Sequence, residues 1–172
     1  PEFNLFKAFT DCCSNLIQFG GHAYAAGLSI EEENIDNFCV AMNEVGSRYL
    51  QEKDLIPTLR IDSILKLSQI DFALYKSLSL LEPFGAENPV PTFQSNKVKI
   101  KEVKYIGKEK NHIRFYATQG VGNIAVVAFN FAHIFDSIDI ANEVFDITYE
   151  LHLNTWNGRE KLELRLLDLR GM

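Results

Sequence analysis

Tryptophan occurs once, methionine twice, cysteine three times and histidine four times in 172 residues. So few cysteines exclude a disulfide framework: Cys12 and Cys13 are adjacent and do not readily pair, and Cys39 stands alone. None has metal-ligand spacing; all three fit apolar helical positions and read as core thiols, which points to the cytoplasm. His22 has no second ligand at useful spacing, so no metal site is expected in this chain. No apolar run approaches the roughly 18 residues of a membrane span, and no signal-peptide pattern is present. No membrane partner is expected. Net positive charge is missing too. At −6 the chain argues against tight, indiscriminate nucleic-acid binding on its own.

The charge is unevenly placed. Residues 1–57 hold Lys7, Arg48 and Lys53 against nine carboxylates, whereas 58–172 balance at 14 basic and 14 acidic groups. Within 97–114, Lys97, Lys99, Lys101, Lys104, Lys108, Lys110 and Arg114 face only Glu102 and Glu109. That segment is the one candidate footprint for a polyanion.

Periodicity sets out the organisation. Leu5, Phe6, Phe9, Cys12, Cys13, Leu16 and Ile17 share one helical face, predicting a helix over 4–18 that the glycine pair stops. The small apolar stretch 22–29 reads as a buried strand. Ser29 and Glu32 form a capping-box pattern before a second helix bearing Ile35, Phe38, Cys39, Met42 and Val45. Leu59, Ile61 and Ile64-Leu65 predict a strand, and Asp71 a cap for a helix with Phe72, Leu74, Tyr75, Leu78 and Leu81. Residues 82–91, with three prolines, can be neither helix nor central strand; Phe84 is expected to bury itself there and lock the loop.

From Lys97 onward apolar and polar residues alternate. The phase slips between Ile100 and Val103, predicting a bulge near Lys101-Glu102 in a long bent strand. Strands over 113–117 and 124–129, a short helix over 131–135, and strands over 145–151 and 162–166 joined by Asn157-Gly158 follow. Three strands, a short helix and two strands is the order of a five-stranded OB-fold β-barrel, a frequent binder of single strands.

Two sets of side chains carry candidate chemistry. Gly20-Gly21-His22 offers glycine N–H groups beside an imidazole donor, the makings of a phosphate cradle; the same run can also be a tight turn closed by the histidine. Lys97, Lys99 and Lys101 on one strand face beside Arg114 can track a phosphate backbone or simply guard a strand edge. Tyr116 and Trp156 are stacking candidates, Trp156 equally suiting a cross-strand hairpin pair.

Phe19-Gly20-Gly21-His22 with Ala25-Ala26-Gly27, then Leu81-Glu82-Pro83-Phe84-Gly85 with Asn88-Pro89, then Trp156-Asn157-Gly158, resemble in order the RecJ family. These are bacterial single-strand-specific 5′→3′ DNA exonucleases of the DHH phosphoesterase superfamily, acting in DNA repair and recombination. The resemblance covers essentially the whole chain. It implies an α+β architecture: residues 1–52 as the C-terminal portion of an α/β DHH-associated domain, 53–91 as a connecting strand, helix and Pro-rich loop, and 92–172 as the OB-fold domain. Glu87 stands where the family often has a glycine.

The resemblance further implies single-stranded DNA as ligand, single-stranded-DNA-binding protein as a partner, and a role for His22 as donor to a substrate phosphate. The family's Mn²⁺ or Mg²⁺ is held by a DHH domain with no counterpart in these residues. The chain is therefore expected to be a fragment, catalytically inactive alone, of a metal-dependent exodeoxyribonuclease in the bacterial cytosol. A DHH-family oligoribonuclease or cyclic-dinucleotide phosphodiesterase would share 19–27 but lack the barrel. A free-standing OB nucleic-acid or protein-docking module would leave the glycine–histidine turn without a purpose.

Overall fold

A computed structural model describes residues 3–171, the side chain of Trp156 excepted, and separates the chain into two compact units, Pro1–Leu59 and Arg60–Met172.

In the first unit, helix α1 (Leu5–Asp11) is capped by Asn4, whose side chain accepts from the Lys7 N–H at 2.9 Å. It is shorter than its apolar spacing predicts. After Asp11 a 3-10 turn spans Cys13–Asn15, where Ser14 and Asn15 favour turn over helix interior. Ile17 then donates to the Ser29 carbonyl at 2.9 Å and leads into strand β1 (Gln18–Gly21). The glycine pair thus lies inside a strand rather than stopping a helix. β1 pairs antiparallel with β2 (Ala26–Ser29), a hairpin instead of the expected buried strand over 22–29; β2 alternates half-buried and exposed.

The expected Ser29–Glu32 capping box does not form. A 3-10 turn over Glu32–Asn34, with no side-chain cap bond, precedes α2 (Ile35–Tyr49). Ala8, Cys12 and Val45 form the buried centre between α1 and α2, with Phe38, Ala41 and Met42 around it. Only Cys12 is a core thiol, and burial with Asp11 beside it pushes its pKa up. Cys13 and Cys39 are exposed, correcting the expectation for both. Cys13 falls in the turn, out of helical phase, and Cys39 lies beside the Phe38–Ala41–Met42–Val45 stripe rather than on it.

The second unit is a closed five-stranded barrel with an added strap. Strands β4 (Thr92–Ile106), β5 (His112–Gln119), β6 (Gly122–Ala128), β7 (Phe145–Trp156) and β8 (Arg159–Gly171) run in the order β4-β5-β6-β8-β7, and a β4–β7 pairing closes the ring. β6 and β8 are parallel and the other barrel pairs antiparallel. This is the OB-fold barrel that the alternation predicts.

Closure depends on β4 serving both sides. Its first half pairs with β7 and its second with β5, and register shifts at Ser95/Val98 and Lys101/Lys104 bend it between them. Lys97 and Glu102 adopt positive φ, 55° and 53°, at those shifts. The second is the bulge expected near Lys101-Glu102; the first was not visible in the alternation. Inward residues Val98, Ile113, Phe115, Val126, Phe145, Ile147, Tyr149 and Leu164 fill the barrel, and α4 (Ala132–Phe135) plugs it with Phe135.

The strap precedes the barrel. Two-residue β3 (Ser63–Ile64) runs parallel to β4, shorter than the strand expected from Leu59 onward. Asp62 and Thr92 exchange bonds of 2.8 and 2.9 Å, and Leu65 donates to the Gln94 carbonyl at 2.9 Å. Asp71 caps α3 (Phe72–Ser79) by accepting from the Leu74 N–H at 2.8 Å, as its position predicts. In the Pro-rich loop, Asn88 Nδ2 donates to the carbonyls of Leu81 (2.8 Å) and Pro83 (3.1 Å). Phe84 is half-buried beneath it, so Asn88 shares the locking role expected of the ring.

Candidate nucleic-acid interface

In the β1–β2 hairpin, Phe19 pairs with Leu28 and turns its ring towards Phe6 and Phe9, with ring centroids 5.7 and 6.3 Å away. Period-2 alternation therefore sends Gln18, Gly20, Gly27 and Ser29 to the opposite, exposed face. Gly20 and Gly27 are cross-strand partners, and a Cβ on either would meet nothing within 4 Å. Bare backbone is thus accessible there. Gly21 is needed by the hairpin itself: its φ is +138°, and a Cβ would stand 2.4 Å from the Ala25 carbonyl oxygen. The turn closes through the His22 N–H, which donates to that carbonyl at 2.8 Å. The exposed imidazole makes no hydrogen bond among the described residues.

On the barrel, the outward side chains of β4, β5, β6 and β8 form a basic face. Lys101 stands opposite Tyr116, and Lys104 opposite Arg114; Lys99 is opposite Thr118. Tyr116 and Arg114 in turn face Ala125 and Val127 on β6, which register with Glu163 and Arg165 on β8. Lys99, Lys101, Arg114 and Tyr116 are thus gathered on one surface. Lys97 sits apart in the first bulge, where its backbone N–H donates to Asp146 Oδ1 at 2.9 Å. The stacking role expected of Trp156 falls on a side chain outside the described ones.

Several members of this face went unread in the sequence. Arg159, Lys161, Glu163 and Arg165 stand at two-residue spacing on β8, with leucines between them from Leu162 onward, the same period-2 signal that marked the β4 lysines. Arg114, Asn154, Arg159 and Lys161 line one cavity of about 460 Å³. Phe129 carries the Arg165 guanidinium 5.6 Å from its ring centre. Glu163, 7% exposed, lies among them: Asn154 Nδ2 donates to its Oε1 at 3.1 Å, and Arg114 Nη2 stands 3.9 Å from Oε2. Small Ala125 leaves the space over which Arg114 reaches this acid. Below Lys104, the Tyr105 hydroxyl donates to Asp136, a bond that raises the phenol pKa and ties β4 to the end of α4.

The arrangement sets cations at several points around an exposed phenol ring. A model of the RecJ OB domain matches residues 61–168. The chain belongs to the RecJ OB domain family. It is 29% identical over 98% of its length to the single-stranded-DNA-specific exonuclease RecJ of Bacillus subtilis, and spans 23% of that relative. The Haemophilus influenzae enzyme of the same description is 28% identical over 87% of the chain, which spans 26% of it. The Thermus thermophilus RecJ crystal structure with Mg²⁺ shares the fold, with a TM-score of 0.74 at 24% identity over 98% of this chain and 25% of that one. The chain therefore spans about a quarter of the length of these relatives.

A second Thermus structure holds Mn²⁺. Among the described residues here, no three His, Cys, Asp or Glu side chains converge where they could hold a metal ion, so these residues do not fit such a site.

Proposed function

We propose that this chain is the single-strand-holding part of a RecJ-type 5′→3′ exonuclease acting in DNA repair and recombination. The observation that carries the reading is the gathering of Lys99, Lys101, Arg114 and Tyr116 on one outward barrel face. Cations there neutralise phosphates without reading sequence, and the exposed ring of Tyr116 offers a base a surface on which to stack. Lys97 adds a cation at the edge of this path, and Trp156 is assigned a second stacking role.

In the first unit, Gly20 exposes backbone, Gly21 holds the turn beside it, and His22 offers an imidazole donor; the three together are assigned to a substrate phosphate. Residues 1–52 are assigned to the C-terminal portion of a DHH-associated domain, 53–91 to a connector and 92–172 to the OB domain. Divalent-metal hydrolysis belongs to the catalytic DHH domain of such enzymes, so this chain alone is expected to show no nuclease activity with Mn²⁺ or Mg²⁺. The bacterial cytosol, and contact with a single-stranded-DNA-binding protein, accord with this role.

Fluorescence anisotropy with labelled oligonucleotides tests the reading. Single strands are expected to bind in preference to duplex, with affinity falling as salt rises. Removing the charge of Lys99, Lys101 or Arg114 should each lower the log–log salt slope by about 0.7. Equal, salt-insensitive binding of single and double strands overturns it.

A further inference from the structure

We propose that the open cavity of about 320 Å³ lined by Val127, Phe129, His152, Glu163, Leu164 and Arg165 is a nucleobase seat, and that Glu163 selects bases bearing an exocyclic amino group. The inference rests on the barrel's being a single-strand binder and adds a preference among bases to it.

Glu163 is unusual for an acid on a nucleic-acid face. It is more than nine-tenths buried, yet its only hydrogen bond among the described residues is the one Oε1 accepts from Asn154. Arg114 and His152, each 3.9 Å away, are too distant to donate. No fully enclosed side-chain oxygen among the described residues lacks a partner, so Oε2, which accepts no hydrogen bond, is not sealed off, and Glu163 is one of the residues that line the cavity. A carboxylate held this far from water is costly unless donors use its lone pairs. Phosphate cannot supply one; like charge repels it. A base amino group can.

The walls suit a planar ring. Phe129 is about half exposed, with His112 edge-on at 5.2 Å and the Arg165 guanidinium 5.6 Å from its centre. Aromatic rings and guanidinium planes are the surfaces on which unpaired bases stack. The exposed placement of Phe129 is built in. Asn130, at φ 62°, turns the chain after it and donates its N–H to His112 Nδ1 at 3.0 Å. Val127 makes an apolar floor. Along β8, Lys161 and Arg165 flank Glu163 at two-residue spacing, about 6.6 Å each way. A strand can therefore lay phosphates on the cations and turn a base edge to the acid between them.

Cytosine presents its N4 amino group to such an acceptor. Uracil at the same place sets its O4 carbonyl against the carboxylate, acceptor facing acceptor. Oligo-dC and oligo-dU of equal length, compared with this chain at fixed salt and mildly alkaline pH, are expected to differ about five- to tenfold in favour of dC. Oligonucleotides of N4,N4-dimethylcytosine, which lack both amino donors, should bind like dU; this arm needs no variant. Glu163→Gln, which adds a donor able to satisfy O4, should bring the dC/dU ratio within about twofold. Equal binding of dC and dU with affinity intact overturns the base seat alone. So does a ratio that survives dimethylation or Glu163→Gln. Failure of all single strands to bind overturns the single-strand reading and this inference together.

Discussion

Replacing Tyr149 by phenylalanine removes one oxygen from the most enclosed part of the barrel. The ring is fully buried, and its hydroxyl lies 2.7 Å from Ser95 Oγ. Ser95 gives its single proton to the Leu65 carbonyl, also at 2.7 Å, so Tyr149 must be the donor in the first bond. Near neutral pH the variant therefore loses one buried hydrogen bond, a net cost of about 1 kcal/mol. Alkaline pH reverses the balance. Burial pushes the Tyr149 pKa from 10.0 to about 12, whereas in the unfolded chain the phenol ionises at its ordinary value. A raised folded-state pKa gives stability that is complete below the unfolded value and is lost as pH climbs to the folded one. The loss runs at about 1.4 kcal/mol per pH unit, roughly 2–3 kcal/mol in all.

Phenylalanine has nothing to ionise, so the two stability curves should cross near about pH 11, where the accumulated loss overtakes the hydrogen bond. Urea unfolding followed by circular dichroism, on both proteins from neutral to strongly alkaline pH, measures the difference. Lysines and the other tyrosines are common to both and cancel. A gap that stays constant across the alkaline range refutes the reasoning, because it would mean that the fold does not disfavour the Tyr149 phenolate.

Gly21→Ala should destabilise the first unit by about 1–3 kcal/mol, because the methyl meets the Ala25 carbonyl at 2.4 Å and the backbone stays at φ +138°. Gly20→Ala, entering open space, should leave the thermal melt near that of the parent while weakening single-strand binding; a large melt change would show that Gly20 serves the fold instead. Gly122→Ala should lower the urea midpoint of the barrel by an amount equivalent to about 1–3 kcal/mol, since its Cβ would stand 2.7 Å from Leu67 Cβ and 2.8 Å from the Ser68 nitrogen. Tyr116→Ala should weaken single-strand affinity by about 1–3 kcal/mol in anisotropy titrations with little effect on stability, and Tyr116→Phe should restore it.

The barrel was legible because strand alternation is a local signal repeated over many residues. Ile113-Arg114-Phe115-Tyr116-Ala117 and Leu162-Glu163-Leu164-Arg165-Leu166 each declare an inner and an outer face. The Lys101-Glu102 bulge was legible as a phase slip. The Lys97 bulge was not, because polar Asn96 and Lys97 can continue an outward face without interrupting the pattern. In the first unit the apolar spacing of Leu16 and Ile17 fitted a helix, but both precede a strand whose partner begins eight residues further on. Short segments satisfy two periods at once, and pairing settles which one holds.

By itself, the sequence determined the order of the barrel's elements along the chain, its inward residues, the outward placement of Lys99, Lys101, Arg114 and Tyr116, and a special backbone within the Gly20-Gly21 pair. Each follows from chirality, side-chain periodicity or local charge, which act over neighbouring residues. Tertiary structure alone decided that Gly21 serves the hairpin while Gly20 leaves bare backbone. It alone brought Arg159, Lys161 and Arg165 of β8 to the face that holds Arg114, and set Glu163 beneath Arg114 and beside Asn154. Those neighbours are brought together by β6–β8 and β7–β8 pairing, and pairing between distant segments leaves no mark in the local pattern of either strand.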